Sequence, residues 1–146
     1  DPSDIEFSDV DATMKKITKK QSKCNSVTLS QDLEDKIWSL ETIFNCVQYD
    51  GSYCVGIVQD SYVIPVGMNV YTNPHQNHLA VFSGKQWTNG GIRHKMIDTF
   101  GNIRFTNNQI VKLEFDTEKG TLIFFIDGVQ QPVYISGIKE KVRFFV

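Results

Sequence analysis

The sequence predicts an all-β fold, an antiparallel β-sandwich that occupies residues 1–146 as one domain. From Ile37 onward the apolar residues come in short runs rich in β-branched and aromatic types, and turn residues separate these runs. Alternation of apolar and polar residues is clearest over 110–116, and no amphipathic helix of useful length is evident. The length of 146 residues is close to the commonest size of a single domain.

The first 35 residues are polar and contain a lysine-rich run at 15–23, so we expect loop with short pieces of strand there. Residues 27–30 are predicted to open the first well-defined strand. We predict further strands near residues 37–44, 53–59, 79–82, 109–116, 121–126, 131–135 and 142–146.

A meander near the end of the chain is the best-defined part of the sequence. Val111, Leu113 and Phe115 share one face of the predicted strand, and the polar residues between them share the other. One face is therefore expected to be buried and the other solvated. Turn residues at 117–120 and 127–128 predict that the chain reverses direction twice after this strand.

Between residues 61 and 108, Asn, Gly, Pro and His are frequent and strands are harder to recognise. We expect long loops in this stretch, apart from the short strand at 79–82. Loops held by a rigid β scaffold are where recognition residues usually lie. This region is therefore the predicted position of the functional surface.

The second half of the sequence resembles the second half of a SPRY domain. The resemblance rests on a Gly-containing turn at 100–105, a strand at 110–116 that ends in Asp, and the hairpin Gly-Thr-Leu-Ile-Phe-Phe-Ile-Asp-Gly at 120–128. An aromatic-rich strand then ends the chain. Segments that are similar to strands of the family's first half lie at 27–32, 38–41 and 53–58.

Three features depart from the family's pattern. Asp127 stands where the family usually has Asn, and the spacing from Trp38 to Glu41 differs from the family's adjacent Trp-Glu pair. The chain also ends at Val146, where family members often continue through another strand. We therefore expect residues 1–26 to contribute a compensating strand.

The resemblance implies a bent sandwich of two antiparallel sheets, jelly-roll-like in outline. It also implies that loops at one end of the sandwich bind another protein, usually through a short peptide segment. Members of the family rarely catalyse a reaction, so the implied role is that of a docking adaptor within a larger chain.

Composition and charge argue against several classes of partner. Lys and Arg total 15 against 17 Asp and Glu, a net charge of -2, so no overall positive field attracts nucleic acid or an anionic membrane. The apolar runs are far shorter than the ~20 residues of a membrane helix. Cys24, Cys46 and Cys54 cannot all pair, which favours a reducing, cytoplasmic setting. We also expect a monomer.

No arrangement of catalytic or metal-binding residues stands out. His75, His78 and His94 could form a three-histidine zinc site, but the spacing and the loop context support it weakly. The carboxylates at 32–35 belong to a charged turn, and Asn-Gly-Gly at 89–91 is too short to be a phosphate loop. We therefore expect a protein that is not an enzyme and that binds neither a metal nor a cofactor.

Tyr, Trp and Arg dominate binding energy at protein interfaces, because they combine a large contact area with a hydrogen-bonding tip. Such residues are concentrated in predicted loops at 60–65, 71–78 and 87–94, which form the predicted recognition surface. The alternative is a carbohydrate-binding, lectin-like jelly roll, since Asn-rich and aromatic-rich loops on similar sandwiches bind sugars. The predicted partner-binding residues are Asp60, Tyr62, Tyr71, His75, Trp87, Arg93 and His94.

Overall fold

The computed structural model describes residues 2–46, 52–84 and 90–146. Within these ranges the chain consists of β-strands and loops, with short 3-10 turns at Pro2–Asp4 and His75–Asn77. No helix in the described part has the length and apolarity that crossing a membrane requires. The strands are β1 (Ile5–Asp9), β2 (Lys15–Lys19), β3 (Ile37–Ile43), β4 (Cys54–Gln59), β5 (Leu79–Ser83), β6 (Ile92–His94), β7 (Ile97–Thr99), β8 (Ile110–Asp116), β9 (Thr121–Ile126), β10 (Val129–Gln130) and β11 (Val142–Phe145).

Neighbouring strands pair antiparallel and form two main sheets. The four-stranded sheet has the order β10-β9-β8-β3, and the five-stranded sheet has the order β11-β4-β5-β6-β7. Apolar residues of both sheets form the main core between them. Phe82 of β5 and Phe124 of β9 are both completely buried, and their ring centroids lie 5.0 Å apart. The predicted all-β sandwich is confirmed.

Alternation in β8 follows the prediction, since Val111, Leu113 and Phe115 are buried and the polar residues between them are partly exposed. This pattern arises because one face of the four-stranded sheet packs on the core and the other meets solvent. The strands that agree with prediction to within one residue at each end are those near 37–44, 53–59, 79–82, 109–116, 121–126 and 142–146.

The prediction of a strand at 131–135 is wrong. β10 covers only Val129–Gln130, and beyond it a single isolated bridge joins the chain to β9. The side-chain amide of Asn102 donates to the backbone oxygen of Val133 at 3.0 Å and accepts from its N–H at 2.8 Å. Pro132 has no N–H to contribute to a ladder. A side chain therefore satisfies backbone groups that a neighbouring strand would otherwise bind.

A hairpin formed by β6 and β7 lies in the stretch that was predicted to be loop, so that prediction is wrong for residues 92–99. Its turn consists of Lys95 and Met96, whose φ angles are 48° and 69°. Asn and Gly are the usual residues in such a left-handed turn. Two strands of three residues and a turn without Asn or Gly give the sequence no recognisable hairpin signal.

The N-terminal region contributes to the fold in two ways. β1 and β2 pair with each other in a separate two-stranded sheet. Residues 27–29, rather than residues 1–26, lie against the free edge of β11. Val27 exchanges backbone hydrogen bonds of 2.7 and 2.9 Å with Val146 there. This contact covers an edge that would otherwise expose unpaired backbone groups.

Candidate functional site

The covering segment, residues 61–77, packs on the outer face of the five-stranded sheet. Val58 and Phe145 of the sheet face away from the main core, and Met68 and Val70 of the covering segment pack against them. All four side chains are buried. Because these contacts form a second apolar cluster, the covering segment is held against the sheet by side-chain packing.

Arg143 connects β11 to the start of the covering segment. It lies opposite Val58 in the register of β11 and β4, so its side chain projects from the outer face. Its Nη2 donates to the backbone oxygens of Asp60 at 3.0 Å and of Tyr62 at 3.3 Å. Its Nε lies 2.9 Å from a carboxylate oxygen of Asp60, an ion pair without hydrogen-bond alignment. Two predicted partner-binding residues thus fix the position of this guanidinium.

A groove of about 260 Å³, which we call the outer groove, opens beside Arg143. Val63 and Val66 lie along it and are 84% and 74% exposed, unlike the buried apolar residues of the same segment. On its other side, the buried Oδ1 of Asn25 accepts no hydrogen bond from a described residue. The groove therefore combines apolar surface with a fixed cation. Its lining consists of Asn25, Ser26, Thr28, residues 63–67 and Arg143.

Tyr62 lies between two histidines beside the outer groove. Its ring stacks on His78 with 4.1 Å between centroids and 10° between planes. Its hydroxyl hydrogen-bonds to Nδ1 of His75, and Nδ1 of His78 hydrogen-bonds to Gln59 at 2.6 Å. The predicted residues Tyr62 and His75 therefore do meet, but their polar groups bind each other.

Tyr71 and Arg93 form a second cluster on the same face. Arg93 lies opposite Val81 in the register of β5 and β6, so it also projects outward. Its Nε and Nη2 donate to the two carboxylate oxygens of Asp98 at 2.6 Å each, and its Nη1 donates to Gln76 at 3.3 Å. The guanidinium lies 4.5 Å from the centroid of the Tyr71 ring, within cation-π range.

This second cluster is electrostatically satisfied from within. The hydrogen bond to Asp98 raises the pKa of Arg93, and the same contact lowers the pKa of Asp98, so both groups stay charged at neutral pH. The hydroxyl of Tyr71 hydrogen-bonds to the buried Ser83. The polar tips of Tyr71 and Arg93 are thus directed at partners within the chain.

His94 projects from the other face of the sheet. It lies opposite Ala80, which belongs to the main core. Burial, assisted by the neighbouring Lys95, lowers the pKa of His94. The prediction that His94 and Arg93 share one surface is therefore wrong, because successive residues of a strand point to opposite faces. The predicted residue Trp87 lies outside the described residues.

The described residues include no group of three or more His, Cys, Asp or Glu side chains placed to hold a metal ion. His75 and His78 flank Tyr62, whereas His94 lies on the opposite face of the sheet. Burial raises the pKa of the Cys54 thiol to about 12, which disfavours the nucleophilic thiolate.

Arg143 and the two exposed valines of the outer groove were not among the predicted partner-binding residues, although Val63 lies within the predicted loop 60–65. A signal for Arg143 was present, because it interrupts the apolar run of β11 at a position where the outer face of the sheet needs a buried residue. No comparable signal marks Val63 and Val66, since only the packing of the covering segment determines which of its apolar residues stay exposed.

No protein-family model matches the chain, and no curated protein matches it significantly.

Proposed function

We propose that the chain is a non-enzymatic protein-interaction module of the SPRY type, which docks a short extended peptide of a partner protein in the outer groove. The observation that carries this proposal is the position of Val63 and Val66, both largely exposed, beside the guanidinium of Arg143. Exposed apolar side chains around a fixed polar anchor are typical of recognition sites.

Arg143 is held in position before a partner arrives. Asp60 and the backbone oxygen of Tyr62 engage its Nε and Nη2, and no described residue accepts a hydrogen bond from its Nη1. An already ordered side chain loses little conformational entropy on binding. Its Nη1 would offer a hydrogen-bond donor to the partner.

The two valines would supply the apolar part of the contact. Complete burial of a valine side chain contributes ~1.5 kcal/mol or more, so burial of both is worth roughly a hundredfold in affinity. The fitting ligand is an extended segment with a carboxylate, amide or backbone oxygen for Arg143 and apolar side chains on either side of it. Alternate residues of an extended peptide point the same way, which suits this spacing.

Two further observations support the proposal. The SPRY resemblance implies that partner contacts lie on loops, and the outer groove is lined by loop residues 63–67. Cys24, Cys46 and Cys54 are free thiols, as expected of a module that works in the reducing cytoplasm.

Selection from a displayed peptide library against the whole chain tests the proposal. We expect enriched peptides to carry an oxygen-bearing residue between apolar ones, and their affinity to fall about tenfold with Val63→Ser or with Val66→Ser. The matched control is Val129→Ser, which changes an equally apolar residue, 63% exposed, on β10 of the other sheet.

Affinity that stays unchanged in both groove variants, or that falls equally in the Val129→Ser control, would refute the proposal. A glycan array run in parallel tests the lectin-like alternative. Saturable sugar binding without any selected peptide would favour a carbohydrate-binding domain.

A further inference from the structure

The four-stranded sheet ends in an open edge at β3. No other backbone segment of the described residues hydrogen-bonds to the outer side of Ile37–Ile43. The other edges of the two sheets are shorter or covered. β10 and β7 have two and three residues, and residues 27–29 lie along β11. β3 is therefore the longest exposed edge in the described part of the sandwich.

The sequence of β3 carries few of the usual protections of an edge strand, and Glu41 is its single charged residue. Ile37-Trp-Ser-Leu-Glu-Thr-Ile43 contains no Pro, no Gly and no Lys, and both isoleucines are 57% exposed. Natural edge strands are generally shielded by such residues or by bulges, because unpaired backbone groups recruit other strands. Trp38 and Leu40 on the inner face also stay partly exposed, whereas Leu113 on the adjacent β8 is fully buried.

We propose that a second copy of this chain occupies this edge, with β3 paired antiparallel to β3 of its partner around a two-fold axis at Leu40. This surface is separate from the outer groove, and the proposal does not depend on the peptide-binding function. The two four-stranded sheets would join into one sheet of eight strands. An interface of this kind is self-complementary, as two-fold symmetry requires.

The side chains of β3 fit this register. Ile37 would lie opposite the partner's Ile43 on the exposed face, so each isoleucine gains an apolar neighbour. Ser39 would lie opposite the partner's Glu41, and no like charges face each other. Leu40 would meet the partner's Leu40 on the inner face. Cross-strand pairs of this kind are what stabilises a β-sheet.

Neighbouring registers fit less well. A shift of two residues in one direction places Glu41 opposite the partner's Glu41, and like charges directly opposite each other are destabilising. A shift in the other direction places Ile37 opposite the partner's Glu41 and Ile43 opposite the partner's Asp35. Of these three registers, only the one centred on Leu40 pairs the full strand and places each isoleucine opposite an isoleucine.

Analytical ultracentrifugation of the whole chain over a wide concentration range tests the proposal. We expect a reversible equilibrium between a monomer of 16.7 kDa and a species of twice that mass. Ile37→Lys and Ile43→Glu should each weaken association by about tenfold or more, since each places a charge opposite an isoleucine. An equimolar mixture of the two variants should associate better than either alone, because the introduced lysine and glutamate then face each other.

The matched control is Val129→Lys on β10, at the opposite edge of the same sheet, which should leave association unchanged. A wild-type chain that sediments as a monomer at every concentration overturns the proposal. So does a dimer that both isoleucine variants retain, or a mixture that gains nothing over the single variants.

Hydrogen exchange on the wild-type protein gives a second readout that does not depend on the folding of any variant. Those amides of Ile37–Ile43 that point away from β8 should gain protection as concentration rises, while those of Val129–Gln130 should not. Protection of these outward-pointing amides of Ile37–Ile43 that is independent of concentration would contradict the proposal.

Discussion

Replacement of Arg93 by alanine should reduce the stability of the fold itself. Arg93 was predicted as a partner-binding residue, yet its side chain is only 19% exposed. Its guanidinium donates two hydrogen bonds of 2.6 Å to Asp98 and one of 3.3 Å to Gln76, and it packs over the ring of Tyr71. These contacts join β6 and β7 to the covering segment.

The expected loss follows from these contacts. Hydrogen bonds between charged groups contribute about 1.5–3 kcal/mol each when they are well buried. Asp98 is 28% exposed, so solvent screening reduces the contribution of the two-pronged contact to ~1–2 kcal/mol in total. The cation-π contact with Tyr71 adds ~0.5–1 kcal/mol. Arg93→Ala should therefore lower the free energy of unfolding by ~2 kcal/mol and Tm by roughly 5–10 °C.

Urea unfolding of the wild type, Arg93→Ala, Asp98→Ala and the double variant measures this directly. The two changes should be coupled by ~1 kcal/mol, because each removes the same contact. Arg104→Ala, at an exposed arginine, is the control and should alter stability by less than about 0.5 kcal/mol. An equally small effect of Arg93→Ala would refute the reasoning and return Arg93 to the set of groups available to a partner.

The same contact makes a prediction about pH. Arg93 lowers the pKa of Asp98 in the folded state, so this group stabilises the fold fully above the ordinary Asp pKa of about 4. That stabilisation is lost as the pH falls through the lowered pKa, where the folded carboxylate becomes protonated. Coupling between Arg93 and Asp98 should therefore be full at neutral pH and vanish in strong acid. Coupling that is independent of pH would contradict an ionic contact.

Three further predictions concern the rest of the sandwich. Gly56→Ala would place a Cβ 2.0 Å from a backbone oxygen of β5 and should lower the free energy of unfolding, measured by chemical denaturation, by ~3 kcal/mol. Gly67→Ala is strained only by its φ of 71° and should lower it by ~1 kcal/mol. Equal losses in the two variants would contradict this. Thiol titration at mild alkaline pH should label the exposed Cys24 quickly and Cys54 slowly, because burial raises the pKa of Cys54 to about 12; equal rates would show that Cys54 is accessible. Asn102→Ala should cost ~1–3 kcal/mol and speed hydrogen exchange in the segment after β10, and unchanged exchange there would mean that the amide does not hold that segment.

β8 and β9 were predictable because half of each strand is buried and the turn between them carries Gly. Burial alternates along both β8 and β9, and Gly120 takes the left-handed conformation between them. β6 and β7 meet neither condition. Their three-residue length allows no periodicity, and Lys95 adopts a positive φ without being a residue type that signals it. Local pattern thus predicts a strand when the strand is long enough for its alternation or its apolar run to be recognised.

Residue type alone could not separate contacts within the chain from contacts with a partner. Tyr62 and Tyr71 have the large rings and polar tips typical of interfaces, but both rings pack at the second apolar cluster and both hydroxyls bind groups of the same chain. Val63 and Val66 have a type that is ordinarily buried, and they are the exposed ones. The chemistry of a side chain says what it can bind, while the fold determines whether that capacity has already been used.

The covering segment has two roles that depend on each other. The buried side chains of Met68 and Val70 hold the covering segment on the sheet. Arg143 of the sheet binds near the start of the segment, and Arg93 of the sheet binds near its end. Because these contacts fix the backbone of the segment on the sheet, Val63 and Val66 can remain exposed to solvent instead of being buried by a rearrangement of the segment. The proposed recognition by the outer groove therefore draws part of its pre-organisation from Met68, Val70 and Arg93, which do not line the groove, and loosening either arginine contact should weaken the groove together with the fold.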